Sequence, residues 1–184
     1  RMSNLAISPT GKRVAVEARG EVFTVPAEKG DIRNLTHSSG SAERDPAWSP
    51  DGKYVSYFSD TSGEYKLVLE SQDGLTAPRE IALPNPTHYY TPAWSPDSKK
   101  VLYTDTNLRV WVMDIASGQA KVVGNDPWMV PTRTVNPVWS PDSKWVAYSS
   151  HLNSLYHAIF ISNVETGEKK QVTAFIVEKT MPGF

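Results

Sequence analysis

One seven-residue phrase recurs along this chain and constrains everything else. Ala47-Trp48-Ser49-Pro50-Asp51-Gly52-Lys53 returns as Ala93-Trp94-Ser95-Pro96-Asp97-Ser98-Lys99 and as Val138-Trp139-Ser140-Pro141-Asp142-Ser143-Lys144. A weaker first copy is Ala6-Ile7-Ser8-Pro9-Thr10-Gly11-Lys12. The serines at 8, 49, 95 and 140 stand 41, 46 and 45 residues apart. A repeat of this period marks a unit that buries its apolar face by stacking on its neighbours. Three short segments follow each phrase: at 14–16, 54–57, 101–103 and 145–148; at 21–25, 65–70, 108–114 and 158–163; and at 33–35, 79–83, 120–123 and 170–172. They are β-branched or aromatic and bounded by Gly, Pro, Asp, Asn or Ser, which are strand signals. No segment sustains a 3.6-residue apolar period, so no long helix is expected.

Four strands in roughly 45 residues is the size of one β-propeller blade. The expected fold is therefore all-β: about four four-stranded antiparallel blades, near 5–36, 45–83, 91–124 and 136–173, followed by a non-repeat tail at 174–184. Four blades span only a sector of a ring of roughly six to eight. The repeated corner has a mechanical reading. Pro50 presets φ for the first corner of a type I turn, Asp51 can bond the local backbone, and Gly52 can take a positive φ. Ser98 and Ser143 replace that glycine, at a cost of about 1 kcal/mol each if the site is left-handed. Trp48, Trp94 and Trp139 are expected as wedges between blades.

Composition narrows the chemistry. The chain has 184 residues, a net charge of −1 and no cysteine. Disulfides, thiolate catalysis and cysteine-based zinc sites are excluded, and near-neutrality argues against a broad nucleic-acid surface. No apolar run approaches the roughly 18 residues needed to span a membrane, and the opening Arg1-Met2-Ser3-Asn4 lacks the apolar core of a signal peptide. No nucleophile elbow, Walker loop or dinucleotide fingerprint occurs. Asp60-Thr61-Ser62-Gly63-Glu64 looks like a calcium-loop fragment but lacks the further carboxylates, and reads as a hairpin loop. Of the four histidines, His151 and His157 flank a strand-like segment and offer two imidazoles to a shared metal. None of the four has the spacing of a zinc protease, and neither metal nor cofactor is expected. What remains is location. In a propeller the innermost strands line the central channel. The segments entering them are Glu43-Arg44-Asp45, His88-Tyr89-Tyr90-Thr91 and Thr132-Arg133-Thr134-Val135-Asn136. They suit polar and stacking contacts with an extended peptide. Arg44, His88, Tyr89 and Arg133 are the candidates for lining that entrance.

Longer phrases carry a family resemblance. Ile7-Ser8-Pro9-Thr10-Gly11-Lys12-Arg13, the stretch 17–30 from Glu17-Ala18-Arg19-Gly20 to Glu28-Lys29-Gly30, Arg33-Asn34-Leu35-Thr36 and Ala42-Glu43-Arg44-Asp45-Pro46-Ala47-Trp48 resemble the tricorn protease family, in its N-terminal WD40-like propeller region. The resemblance spans about residues 3–173. It implies a noncatalytic segment that gates or channels peptides toward serine-peptidase domains absent from this chain, in a cytoplasmic enzyme. No catalytic residue carries over, and the chain alone is expected to be inactive. The generic repeat also resembles the Tol-system propeller, which implies a protein-interaction module without protease activity and a periplasmic location. Expected partners are a peptide or protein substrate, the parent's peptidase domains and a second copy of the chain through open apolar blade faces. Nucleic acid and membrane are not expected partners.

Overall fold

The computed structural model describes residues 2–38, 40–127, 135–153, 156–174 and 176–177. They form consecutive antiparallel sheets, each a meander in chain order. The first is β1 (Met2–Ile7), β2 (Arg13–Ala18), β3 (Glu21–Pro26) and β4 (Arg33–Asn34). The second is β5 (Glu43–Trp48), β6 (Tyr54–Ser59), β7 (Lys66–Ser71) and β8 (Arg79–Ala82). The third is β9 (Tyr89–Trp94), β10 (Lys100–Asp105), β11 (Arg109–Asp114) and β12 (Ala120–Asn125). The fourth is β13 (Val138–Trp139), β14 (Trp145–His151), β15 (Tyr156–Asn163) and β16 (Lys169–Gln171). From the tail, β17 (Ile176–Val177) pairs with the start of β15, at His157 and Tyr156.

The repeated phrase folds the same way each time. The fourth residue of the corner donates its N–H to the serine carbonyl: Gly11 to Ser8, Gly52 to Ser49, Ser98 to Ser95 and Ser143 to Ser140, at 2.8–3.0 Å. Within the second corner Ser49 Oγ donates to Asp51 Oδ1 at 2.7 Å, and Asp51 accepts from the Lys53 N–H at 3.1 Å. Ser98 and Ser143 do take positive φ, 59° and 61°, where Gly52 has 73°. Each serine also has a use the sequence did not suggest. Ser98 Oγ accepts from the Asp51 N–H at 3.0 Å, and Ser143 Oγ accepts from the Asp97 N–H at 3.1 Å. The hydroxyl of one corner thus latches the corner of the preceding sheet.

Successive sheets enclose one apolar layer each. Ala15, Val22 and Leu35 of the first sheet meet Trp48, Val55, Tyr57 and Val68 of the second. Phe58, Leu67, Leu69 and Ile81 meet Tyr89, Trp94, Val101, Tyr103 and Trp111 of the third. Val110, Val112 and Val123 meet Val146, Tyr148 and Val164 of the fourth. Trp48 and Trp94 are each 8% exposed, as the wedge reading requires. Removing roughly 150–250 Å² of indole from water contributes about 4–6 kcal/mol gross per ring. Trp94 Nε1 donates to Ser56 Oγ of the second sheet at 2.9 Å, and Trp139 Nε1 donates to the Ala93 carbonyl of the third at 3.0 Å. Between the third and fourth sheets, Gly124 lies against the Tyr148 ring. A methyl group there would fall 2.4 Å from Tyr148 Cζ.

Among the described residues, no further sheet covers the two outer faces of the array. Ile7 occupies the wedge position of the first sheet and is 70% exposed. At the other end, Ile159, Ile161 and Val172 repeat the positions of Leu67, Leu69 and Ile81. Leu67, Leu69 and Ile81 are buried beneath the third sheet, whereas Val172 is 51% exposed and the two isoleucines are half-buried.

Candidate functional site

The innermost strands carry a second repeated feature. In β1, β5 and β9 the pairing with the next strand slips between Ser3 and Ala6, between Arg44 and Ala47, and between Tyr90 and Ala93. Each slip is a β-bulge, and one residue in it turns left-handed: Asn4 (φ 50°), Asp45 (56°) and Thr91 (47°). Asn and Asp tolerate this conformation, but β-branched Thr91 is strained in it. A bulge re-aims the side chains beside it, so Arg44 and Tyr90 leave the regular alternation of their strands.

Arg44 is the hub of a polar and aromatic cluster at the end of the sheets where the inner strands begin. Its guanidinium lies 4.9 Å from the Tyr65 ring centroid. Arg44 Nη2 lies 3.5 Å from His88 Nδ1 and donates to the Tyr89 carbonyl at 3.4 Å, while Nη1 sits 3.7 Å from Asp45 Oδ2. His88 packs edge-on against Tyr65 and Tyr90, with centroids 5.3 and 4.8 Å away. Burial, and then the Arg44 charge, lower the His88 pKa, which keeps the ring neutral near pH 7. Burial raises the Asp45 pKa, Arg44 opposes that shift and Glu17 adds to it. Glu17 closes the cluster on the side of the first sheet. Its Oε2 accepts from Asn4 Nδ2 at 2.7 Å and from the Asp45 N–H at 3.2 Å.

Behind Arg44 lies a fixed frame. Glu43 is buried, and its carboxylate accepts from four hydroxyls: Ser38 at 2.5 Å, Ser41 at 2.7 Å, and Ser59 and Thr61 at 3.2 Å each. These bonds tie the segment between the first two sheets to the β6–β7 hairpin. The four donors satisfy both oxygens of the buried carboxylate.

The structure thus brings Arg44 and His88 together. Tyr89 it places elsewhere: the side chain is fully buried against Phe58 and Tyr103, and its hydroxyl donates to the Asn85 carbonyl at 2.6 Å. The bulge at Thr91 turns Tyr89 rather than Tyr90 into the core, so its ring is not open to a peptide, and Tyr90 presents the aromatic surface instead. Arg133 lies outside the described residues. Tyr65 and Glu17 escaped the sequence reading because one lies just before β7 and the other in β2, away from the inner strands, and neither carries a local motif.

The tricorn protease second beta propeller domain matches residues 2–184. The chain belongs to that family. The match corrects the expectation of the N-terminal propeller: the longer phrases that carry the resemblance point to the family, and the segment is its second propeller rather than its first. The crystal structure of the tricorn protease superposes with a TM-score of 0.80 at 14% identity, covering 95% of this chain and 17% of that one. A putative TolB from Agrobacterium tumefaciens gives 0.68 at 20% identity, covering 95% and 62%. TolB from Acinetobacter baumannii gives 0.68 at 16%, covering 94% and 43%. The chain therefore spans less than two thirds of each of these structures, and at such identities the likeness is one of fold. No curated protein matches by sequence.

Proposed function

We propose that this tricorn-family propeller segment is noncatalytic and steers extended peptides toward a peptidase domain carried elsewhere in the parent protease. The observation that carries the reading is the Arg44–Tyr65–His88–Tyr90 cluster, which sets a cation, two phenol rings and a neutral imidazole at the inner-strand ends of adjacent sheets. Such a surface can accept backbone carbonyls and stack side chains without demanding one sequence. The family reading carries a cytoplasmic location with it, and the peptide and the peptidase domains as partners.

The test is made in the intact protease. Arg44→Ala and Tyr65→Ala should slow turnover of long peptides several-fold and leave a short chromogenic substrate unaffected. Equal turnover of both substrates by wild type and variants would refute the steering role. The second reading, a protein-interaction propeller of the Tol type in the periplasm, rests on the fold likeness to the two TolB structures. It predicts capture of a folded protein and no link to peptide hydrolysis.

The open faces support a further partner, a second copy of the 184-residue chain. The face of Ile159, Ile161 and Val172 repeats the one that the third sheet covers on the second. The Ile7 face repeats the incoming side of a wedge strand. Each copy therefore offers both halves of the interface already formed between its own sheets.

A further inference from the structure

We propose that His151 and His157 form a two-imidazole site for a divalent transition metal, zinc or copper(II), with Asp126 orienting His151 from behind. The two histidines are directly opposite one another in the β14–β15 register, so they share one face at the end of the hairpin. Their ring centroids lie 5.5 Å apart. Two metal–nitrogen bonds of about 2.0–2.1 Å meeting near the tetrahedral angle place imidazole centroids roughly 5 Å apart, so the observed spacing needs little adjustment.

The protonation pattern suits a ligand. His151 Nδ1 lies 2.8 Å from Oδ2 of Asp126, whose carboxylate is buried. A carboxylate on Nδ1 fixes the tautomer with its lone pair on Nε2, the arrangement commonly found behind metal-bound histidines. His157 Nδ1 is buried without a hydrogen-bond partner among the described residues. A buried ring nitrogen left unpaired is costly, and a metal or a metal-bound water would relieve it. The support is rigid on both sides, because β14 pairs along one edge of His157 and β17 along the other.

Access reaches the site from the His151 side. His151 borders a cavity of about 380 Å³ that also meets Tyr148, Phe160, Lys169 and Gln171 but does not reach His157. Water entering on the His151 side would complete the coordination, since no group of three or more metal-ligating side chains occurs among the described residues. The Lys169 ammonium works against a cation in this cavity and the Asp126 carboxylate works for it. The donor set selects the metal: imidazoles favour copper(II) and zinc over magnesium or calcium. The site joins the exit of the third sheet, through Asp126, to the hairpin of the fourth.

The test is titration of the tag-free chain with zinc chloride or copper(II) chloride, followed by calorimetry and thermal melting. The expected result is one equivalent bound, with a rise in Tm because only the folded chain presents both rings. His151→Gln and His157→Gln should each weaken binding at least about tenfold, and Asp126→Asn by about 10- to 100-fold. His37→Gln should bind as wild type does. Electron paramagnetic resonance of the copper(II) form gives an independent readout: coupling to two nitrogens in wild type and to one in His157→Gln. Absence of saturable uptake of both ions would overturn the proposal. So would uptake that both histidine variants leave unchanged.

Discussion

Trp48 shows how far one side chain sets the quality of a blade contact. Its indole is buried like that of Trp94, yet its Nε1 has no hydrogen-bond partner among the described residues. The reason lies in the preceding sheet. Trp94 donates to Ser56 of the second sheet, and the register places Ala15 at the equivalent position of the first. Ala15→Ser should supply the missing acceptor and stabilise the fold by about 1 kcal/mol, read from urea denaturation. Glu70 makes a second prediction at this scale. Its carboxylate accepts from Tyr57 Oη at 2.7 Å in a buried setting. Burial raises its pKa from 4.5, while the Tyr57 hydrogen bond pulls the other way. A carboxyl with a raised folded pKa contributes stability below its unfolded value, and loses it as pH rises through the folded value. Wild-type stability should therefore fall above about pH 4.5 through this group. Glu70→Gln keeps an acceptor for Tyr57 and cannot ionise, so its stability relative to wild type should rise between pH 4 and pH 8. A pH-independent difference in Cm would contradict this.

At the scale of elements, the corner is both the most legible part of the sequence and the part with a hidden use. Pro50, Asp51 and Gly52 act on neighbouring backbone atoms, so the phrase alone declares the turn. The strands were legible for a similar reason: alternation and bounding residues are local properties, and the Trp wedges follow from their fixed place before the corner. The latch was not legible. Ser143 Oγ meets the Asp97 N–H across 46 residues, and only the stacking of two sheets brings them together. Ser143→Gly and Ser143→Ala separate its two effects. Glycine loses the latch but relieves the left-handed strain, so stability should stay near wild type. Alanine keeps the strain, loses the latch and should cost about 1 kcal/mol. Chemical denaturation of both variants checks the order. The candidate site divides the same way. Arg44 and His88 could be named because repeat register sets them at one end of the sheets. Tyr89 was misplaced because the bulge at Thr91 changes which neighbour faces out, and a bulge leaves little trace in composition. Tyr65 and Glu17 reach the cluster only through tertiary packing.

For the 184-residue chain as a whole, the decisive quantity is the apolar surface that its described residues leave unmatched at the two ends of the array. Exposed contiguous apolar faces drive association, and a repeat array supplies faces that fit each other. A face of the Ile161 type meeting a face of the Ile7 type is a head-to-tail contact, and its rotation decides the product. If two copies close, the product stops at a two-fold dimer; if they do not, it grows with concentration. Sedimentation velocity of the chain across a hundredfold concentration range should show association and distinguish these products. Ile7→Lys and Ile161→Lys test the geometry more sharply. Each places an ammonium on one half of the contact, and burying an unpaired charge is strongly unfavourable. In a head-to-tail assembly either variant alone blocks every contact, so both should sediment as monomers. A mixture of the two should recover at most one contact per pair, because each retains one intact face. Were a face instead to pair with its own copy, only one of the two variants would dissociate the assembly, and the other would behave as wild type.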